Sequence, residues 1–375
     1  MKIAFDVSYI QTKKTGIGRA ALSLLQSLLE HDRINKYILH GWSLSLDVEM
    51  INNFKNKNVQ FNLLKIPGNI KRFYWNRLHC PNIEYIVKGI DIFHSADPLL
   101  PPLNTAKGVI TIHDLVYKKY PNLLQKQVLK WDTYIFKSVE RANAIITLSN
   151  QSRNDIIEFF PFAADKIKVV HFPIESIFTN IPEPNYDNLI KSKHNLDNPF
   201  ILFVGTIEPR KNLINLIRAF EMFQHKHKSP LQLVICGKPG WLYKDIFESI
   251  KQSSIVSKIR YLNYLPEKEL ASLYRLSHYF VYPSLYEGYG FPVLEAMASG
   301  TPVITSNTSS LKEIAEGAAI LVDPTSIEEL SNSITILYKN DSLRNELSKK
   351  GLERIKLFNT ETAAAQVLDI YKQLS

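Results

Sequence analysis

Two glutamates in one short segment carry the strongest chemical signal in this 375-residue chain. Glu287 lies in a loop that follows an apolar run, and Glu295 lies in the first turn of the helix predicted after it, a turn that Pro292 also marks. Gly288 and Gly290 leave room for a ligand to reach backbone N–H groups at the positive end of the helix. The two carboxylates are therefore predicted to serve different parts of one ligand. One surface carboxylate and one helix-capping carboxylate would explain the same pattern equally well.

A basic pair marks a second candidate site. Arg210 and Lys211 lie at a predicted helix start, shortly after an apolar run and after Gly205, which allows close backbone approach. The helix macrodipole disfavours cations at this end, so an unpaired Arg–Lys there is predicted to bind an anion such as a diphosphate. A structural ion pair between Arg210 and Glu208 is the alternative.

A glycine-containing segment near the N-terminus has the spacing G-x-G-x-x-A. It contains Gly16, Ile17 and Gly18, but eight residues separate Val7, the end of the first predicted strand, from Gly16. No carboxylate ends the next predicted strand, so the dinucleotide-binding fingerprint is excluded. Two interpretations stay open: a flexible loop whose N–H groups meet an anion or a sugar, or a plain loop-to-helix turn.

A histidine ends another apolar run. His113 follows Val109–Ile112, which predicts an imidazole at the carboxyl end of a strand, where open α/β sheets bind ligands. It is a candidate catalytic residue, and a histidine held by a hydrogen bond to Asp114 is the alternative. His94 has a similar position and a weaker case.

Several familiar catalytic motifs are missing from the sequence. It contains no P-loop, H-E-x-x-H, G-x-S-x-G or D-x-D. We therefore expect cations and helix ends to hold a phosphate, and we predict no metal and no cofactor.

The elements that must position these residues alternate along the chain as in βαβ units, until the pattern stops between Pro173 and Pro199. This rhythm predicts two doubly wound Rossmann-like α/β domains, at 1–173 and 199–357, joined by a linker at 174–198 with at most one helical turn. Ligands in such sheets bind off the carboxyl ends of the strands, so a site built from both domains is expected. The predicted strands are Lys2–Val7, Tyr37–His40, Val59–Leu63, Asp91–Phe93, Val109–Ile112, Ala144–Leu148 and Ile167–His171, then Phe200–Val204, Leu231–Ile235, Ile259–Asn263, Tyr279–Tyr282, Pro302–Thr305 and Ile320–Val322.

Composition narrows the class of protein. Hydrophobic residues make up 45% and charged residues 22%, which excludes disordered and collagenous chains. Two cysteines are too few for a disulfide scaffold, and no signal-peptide pattern begins the chain, so a cytoplasmic location is expected. A net charge of +9 favours anionic partners: phosphorylated metabolites, nucleic acid or an acidic membrane.

Taken together, the motifs resemble glycosyltransferase family 4, whose members are retaining enzymes with the GT-B fold. The run Glu-Gly-Tyr-Gly-Phe-Pro-Val-Leu-Glu at 287–295 resembles the family's E-x7-E motif. Gly-Thr-Ile-Glu-Pro-Arg-Lys-Asn at 205–212, the His113-Asp114 pair and the Gly16-Ile17-Gly18 segment match in the family's order. The resemblance implies two domains facing across a cleft, with a C-terminal helix at 358–375 that packs on the first domain.

The resemblance also implies roles for individual residues. The donor diphosphate would contact Arg210, Lys211, Gly18, Gly290 and Phe291. Glu295 would bind the ribose and backbone near Leu265 the base, whereas Gly16, Ile17 and Gly18 would approach the phosphates and the acceptor. Glu287 would lie near the transferred sugar, and His113 would face the sugar's C6 hydroxyl and the reacting centre.

The implied substrates are a nucleotide sugar and a glycan or lipid-linked glycan acceptor. The Gly-Ile-Gly-Arg and Glu-Pro-Arg-Lys-Asn segments are similar to bacterial mannosyltransferases that use GDP-mannose to extend O-antigen or capsule chains. Alternatives are a UDP-sugar donor, a GT-B-like nucleotide-sugar epimerase, and an anion-binding or nucleic-acid-binding protein without catalysis. Nucleic acid ranks last because aromatic and basic residues are not interleaved.

Basic residues in predicted first-domain loops also suggest docking on the anionic inner face of the plasma membrane, namely Lys13, Lys14, Lys71, Arg72, Arg77, Lys118 and Lys119.

Overall fold

The protein consists of two compact units. The computed structural model describes residues 1–11, 16–54, 58–68, 70, 73–121 and 132–375, except for the side chains of residues 76 and 77. One unit comprises Met1–Leu115, Lys126–Pro173 and Phe358–Ser375, and the other Val116–Gln125 and Ile174–Leu357. The C-terminal segment therefore belongs with the first unit.

The first unit is built on a parallel sheet of seven strands in the order β3-β2-β1-β4-β5-β6-β7. Its strands are rich in buried aliphatic residues, such as Ile3 and Ile92, as expected for parallel strands covered on both faces. They are β1 (Lys2–Asp6), β2 (Lys36–Trp42), β3 (Val59–Leu64), β4 (Ile92–Ser95), β5 (Lys107–Thr111), β6 (Ala144–Thr147) and β7 (Ile167–Val169).

The second unit contains a parallel sheet of six strands in the order β10-β9-β8-β11-β12-β13. The central strand β8 is buried along its whole length. The strands are β8 (Phe200–Val204), β9 (Gln232–Cys236), β10 (Ile259–Leu262), β11 (Tyr279–Tyr282), β12 (Val303–Ser306) and β13 (Ile320–Val322).

Helices connect the strands of both sheets. In chain order the described ones are α1 (Gly16–His31), α2 (Val48–Asn52), α3 (Val116–Lys119), α4 (Asp132–Arg141), α5 (Asn150–Phe159), α6 (Pro184–Lys193), α7 (Leu213–His227), α8 (Lys244–Gln252), α9 (Glu267–Leu276), α10 (Phe291–Ala298), α11 (Ser309–Ile314), α12 (Ile327–Lys339), α13 (Asp341–Ile355) and α14 (Thr360–Leu374). Within the first unit, α14 packs on α1. Among the described residues, no helix is both long enough and apolar enough to cross a bilayer.

The predicted doubly wound α/β architecture is confirmed in both units. Each predicted strand is present, with ends that differ by at most two residues. The segment 174–198 differs, because it contains the ten-residue helix α6 where at most one helical turn was expected. Asp187 of α6 accepts hydrogen bonds from Ser272 and Arg275 of α9, and Ile190 is buried. Tertiary contacts thus stabilise a helix whose own hydrophobic pattern is weak.

Candidate active site

Two loops at the carboxyl ends of neighbouring strands create the candidate site of the second unit. After β8 the chain forms a 3-10 turn, Pro209–Lys211, and Asn212 then takes a left-handed conformation with φ of 61°. After β11 the chain runs through residues 283–290 to the start of α10. The Leu285 N–H donates to the Arg210 carbonyl at 2.9 Å, and the Asn212 amide donates to the Pro283 carbonyl at 3.0 Å. These bonds hold the two loops together.

Four charged side chains meet between these loops, and we call them the ionic cluster: Glu208, Arg210, Lys211 and Glu287. Arg210 Nη2 lies 2.7 Å from Glu208 Oε1, and its Nη1 lies 2.8 Å from Glu287 Oε2. Lys211 Nζ lies 2.5 Å from Glu287 Oε1. Arg210 also donates to the Tyr286 carbonyl at 2.7 Å. The cluster therefore contains two cations and two carboxylates, with Glu287 contacting both cations.

Burial controls the electrostatics of the ionic cluster. Burial alone would raise the pKa of Glu287, but Arg210, Lys211 and the hydrogen bonds from Lys211 and Ser284 lower that pKa to about 2. Burial and the neighbouring Arg210 charge lower the pKa of Lys211, against the attraction of the two carboxylates. Burial raises the pKa of Glu208, against Arg210 and Lys211. Glu287 is thus held as a carboxylate at neutral pH.

The pairing of Arg210 and Lys211 corrects one prediction. The sequence suggested a basic pair left unpaired at a helix start, whereas Arg210 contacts Glu208 and Glu287, and Lys211 contacts Glu287. The helix α7 begins only at Leu213. The structural pair of Arg210 and Glu208, which was the alternative prediction, is present. Arg210 also has a second acidic partner, Glu287. A diphosphate at this position must compete with Glu287 for the cations.

Glu295 has a hydrogen-bond partner outside the ionic cluster. It is in the second turn of α10, is 0% exposed, and accepts a hydrogen bond from the Tyr274 hydroxyl at 3.0 Å. The interpretation of Glu287 and Glu295 as one surface and one capping carboxylate is therefore wrong, because Glu287 is buried and the N-cap of α10 is Gly290, with no side-chain capping bond.

The start of α10 requires glycine. Gly290 is the N-cap with φ of 119°, a conformation that residues with a side chain rarely adopt. A Cβ there would lie 2.8 Å from the Leu311 side chain. Phe291 is the first residue of the helix, and its ring packs against that of Tyr289 with centroids 4.9 Å apart. Both predicted diphosphate contacts thus lie at this N-terminus.

Sequence reasoning missed two hydroxyl groups of the site. The Tyr282 hydroxyl accepts from Lys211 Nζ at 2.7 Å and donates to Glu287 Oε1 at 2.9 Å. Ser284 donates to the same oxygen at 2.6 Å. Because strand side chains alternate, the spacing of Tyr282 and Ser284 by two residues was a signal that both face one side. Hydroxyl groups at the end of an otherwise apolar strand could have placed both residues beside Glu287.

The other predicted residue of the second unit, Leu265, is half-buried in the loop that follows β10. This loop adjoins the end of β9, where the Cys236 thiol lies 3.5 Å from the Asn263 carbonyl oxygen. Leu265 therefore lies at the same carboxyl edge of the sheet as the ionic cluster.

The predicted residues of the first unit lie at the carboxyl edge of its own sheet. His113 is two residues beyond β5, and its Nε2 donates to the Ala96 carbonyl at 3.0 Å, so Asp114 is not the observed hydrogen-bond partner. Burial lowers the pKa of His113, against that hydrogen bond and the Asp114 charge. Gly16, Ile17 and Gly18 form the first turn of α1 rather than a loop.

The described part of the chain contains no candidate metal site. There, no three His, Cys, Asp or Glu side chains lie together as a metal site would need.

Comparisons with known proteins agree with this architecture. Residues 187–354 match the model of the glycosyl transferases group 1, and residues 16–176 match that of Glycosyltransferase Family 4. O-antigen chain mannosyltransferase B of Escherichia coli is 30% identical over 385 residues, an alignment that covers 100% of both chains. O-antigen chain mannosyltransferase RfbU of Salmonella typhimurium is 26% identical over 232 residues, which is 62% of this chain and 59% of the relative. Sucrose-phosphate synthase from Thermosynechococcus elongatus shares the fold, with a TM-score of 0.77, 20% identity, and coverage of 100% of this chain and 99% of the other.

Proposed function

This chain belongs to the family 4 glycosyltransferases with the GT-B fold, and we propose that it transfers mannose from GDP-mannose with retention of anomeric configuration. The acceptor is a glycan or lipid-linked glycan of a surface polysaccharide. Mannose and O-antigen are supported by the names of the relatives that match over the whole chain and over most of it. GDP is supported by the resemblance of the Gly-Ile-Gly-Arg and Glu-Pro-Arg-Lys-Asn segments to enzymes that use it.

The ionic cluster is the observation that carries the proposal. Arg210 and Lys211 hold the donor diphosphate, and their charges offset the negative charge that grows on it as the sugar leaves. Because Glu287 contacts both cations in the free protein, the diphosphate takes over part of these contacts. The released edge of the Glu287 carboxylate then faces the positive charge that develops on the sugar.

The remaining steps use groups at the edges of the two sheets. The leaving phosphate takes the proton of the acceptor hydroxyl, and the acceptor attacks the same face of the sugar. Glu295 binds the ribose hydroxyls, and the backbone near Leu265 contacts the base. In the first unit, His113 faces the C6 hydroxyl of the sugar, and Gly18 approaches the phosphates. Glu287 and Glu295 have different partners, so they do not form the carboxylate pair of a double displacement.

Transfer should proceed without a divalent metal, because Arg210 and Lys211 supply the charge that a D-x-D-bound cation supplies elsewhere. Activity in excess chelator should equal activity in magnesium. Complete loss that magnesium or manganese restores would contradict this assignment of the diphosphate site.

The first unit also has features that suit a contact with the anionic inner face of the plasma membrane. Phe73, Tyr74 and Leu78 are each more than two-fifths exposed along one π-helical turn. Lys137 Nζ lies 3.3 Å from His79 Nε2, which places a cation beside that turn. Of the basic residues predicted for this contact, Lys13, Lys14, Lys71, Arg72 and the Arg77 side chain lie outside the described residues, and Lys118 and Lys119 belong to the second unit.

A transfer assay tests the proposal. The protein is incubated with a lipid-linked acceptor and, separately, with GDP-mannose and a panel of UDP-sugars, and the products are identified by mass spectrometry and NMR. We expect an acceptor that has gained one hexose in the anomeric configuration of the donor, from GDP-mannose only. Transfer from a UDP-sugar instead would overturn the choice of donor. Release of a free epimerised sugar without acceptor would favour the epimerase.

A further inference from the structure

We infer that Tyr282 is a positioning residue for transfer: its hydroxyl bridges the Lys211 ammonium and the Glu287 carboxylate and keeps Glu287 in place when the donor diphosphate draws Lys211 away. This inference rests on the proposed use of the ionic cluster as the diphosphate site. It adds a residue for which the family motif implies no role.

The bridge is defined by three short contacts. Lys211 Nζ donates to the Tyr282 hydroxyl at 2.7 Å, and that hydroxyl donates to Glu287 Oε1 at 2.9 Å. Lys211 also donates directly to Glu287 Oε1 at 2.5 Å, and its Nζ lies 5.2 Å from the centre of the Tyr282 ring. Tyr282 thus contacts Lys211 through both its hydroxyl and its ring.

The hydroxyl is held where it is by the packing of its ring. Tyr282 is fully buried on β11, and its ring stacks on those of Phe203 and Phe280, with centroids 5.6 and 5.7 Å away. Removing only the oxygen therefore leaves a phenyl ring in the same space. This makes Tyr282→Phe a test of the hydroxyl rather than of the packing.

The Tyr282 hydroxyl becomes important when the diphosphate binds. Glu287 Oε1 accepts from Lys211, Tyr282 and Ser284 in the free protein. If Lys211 turns toward a phosphate, Tyr282 and Ser284 still satisfy this buried carboxylate, which would otherwise lose stabilisation. Without the Tyr282 hydroxyl, Ser284 is the only one of these three donors that stays on Oε1 once Lys211 turns away, so Glu287 is held less firmly during transfer.

The hydroxyl also influences the protonation of Lys211. The charged and titratable groups facing the Lys211 ammonium are Glu208 and Arg210 on its own turn, Glu287 on the loop after β11, and Tyr282 on β11. Loss of the Tyr282 acceptor removes one stabilising contact from the charged form. The basic limb of the pH profile should therefore move to lower pH in Tyr282→Phe.

A matched control lies on the same strand. Tyr279 is also fully buried, and its hydroxyl donates to the Ile334 carbonyl at 3.0 Å. Tyr279→Phe removes one buried tyrosine hydroxyl from β11 without touching the ionic cluster. It reports the effect of the lost oxygen on stability alone.

The experiment measures kcat, donor KM and their pH profiles for the parent and both variants, with whichever nucleotide sugar the parent uses. Tyr282→Phe should lower kcat roughly tenfold, the effect of one hydrogen bond to a charged group, while KM changes less than about threefold. Tyr279→Phe should keep kcat within about twofold. Equal kcat values and an unmoved basic limb in Tyr282→Phe would overturn the inference.

Binding of pyrophosphate, measured by calorimetry across pH, separates the two proposals. If the parent turned over no nucleotide sugar, the proposed function would fail, and the inference would be judged on this binding alone. The alkaline loss of pyrophosphate affinity should then begin at lower pH in Tyr282→Phe than in Tyr279→Phe. The same onset in both variants, or no pyrophosphate binding by the parent, would count against Tyr282.

Discussion

Glu287 is positioned by both cations of the ionic cluster, because one carboxylate oxygen contacts Arg210 and the other contacts Lys211. Removing its charge therefore has two opposite effects. Under the proposed function, the sugar loses the carboxylate that faces its developing positive charge, whereas the diphosphate no longer competes with Glu287 for the two cations. A change at this one residue should separate donor binding from turnover.

The first prediction compares Glu287→Gln with Glu295→Gln. Glu287→Gln should lower kcat by 100-fold or more, on the order of an electrostatic group lost from a transition state, with donor affinity unchanged or tighter. Glu295→Gln should weaken donor binding by roughly 10-fold, as expected for a weakened ribose hydrogen bond, and lower kcat less. Glutamine is used because both sites are buried and alanine would leave cavities.

Steady-state kinetics and donor titration of the two purified variants check this prediction, with circular dichroism to confirm folding. Parent-like kcat in Glu287→Gln together with parent-like affinity in Glu295→Gln would show that the roles are wrongly assigned.

At this scale the sequence indicated candidate residues and one possible pair, Arg210 with Glu208, but not the pairing of both cations with Glu287. The E-x7-E spacing and the Arg210–Lys211 pair were visible in the chain. Their ion pairs join positions 76 residues apart, Lys211 and Glu287, and depend on the neighbouring positions of β8 and β11 in the sheet. Residue types and local spacing do not indicate which strands are neighbours in the sheet.

Among the elements, α14 shows how a terminal helix is fixed to the first unit. His94, at the carboxyl end of β4, is fully buried, with Nδ1 2.5 Å from the Tyr371 hydroxyl of α14 and Nε2 3.0 Å from Thr111 Oγ1. Burial lowers the pKa of His94 to about 3, against the attraction of Asp6. The imidazole is therefore neutral in the folded protein at neutral and mildly acidic pH.

The second prediction follows from the sign of this shift. The unfolded chain takes up a proton on His94 as the pH falls below 6.5, whereas the folded protein does not until about pH 3. The stability contributed by neutral His94 is thus complete above pH 6.5 and is lost as the pH falls, by about 2 kcal/mol at pH 5.

Urea unfolding of the parent and of His94→Gln at pH 7 and pH 5 tests this linkage. The variant should be less stable at pH 7 but should lose less stability on acidification than the parent does. An equal loss in both proteins would mean that His94 does not couple folding to pH.

The helix α6 shows which elements the sequence predicts poorly. Strands such as Phe200–Val204 and Tyr279–Tyr282 were predicted with their observed ends, since continuous apolar runs between turn residues are strong signals. The α6 segment has a weak pattern of its own, and its stability comes from the hydrogen bonds of Asp187 to α9 and from the burial of Ile190.

For the whole molecule, the third prediction concerns the proposed membrane contact. With a net charge of +9 and the exposed side chains of the π-helical turn, the protein should float with vesicles containing phosphatidylglycerol at low salt, and less so at high salt. A Phe73→Ser, Leu78→Ser variant should bind the vesicles more weakly. Ile336→Ser, a control at an exposed apolar residue of α12, should not.

Recovery that is independent of lipid, or unaffected by salt and by the Phe73 and Leu78 changes, would argue against this surface. Net charge could be read from the sequence, but which cations surround the turn depends on the fold.

The most direct measurement of the central claim is the thermal stabilisation of the protein by GDP-mannose, compared between the parent and Arg210→Ala. A ligand at 100 times its Kd stabilises the folded state by about 2.7 kcal/mol, so the parent should show a clear rise in Tm. Arg210→Ala should lose most of that rise, because Arg210 is the cation that joins Glu208 and Glu287 at the proposed diphosphate site. No rise in the parent with GDP-mannose, or an equal rise in Arg210→Ala, would contradict the account.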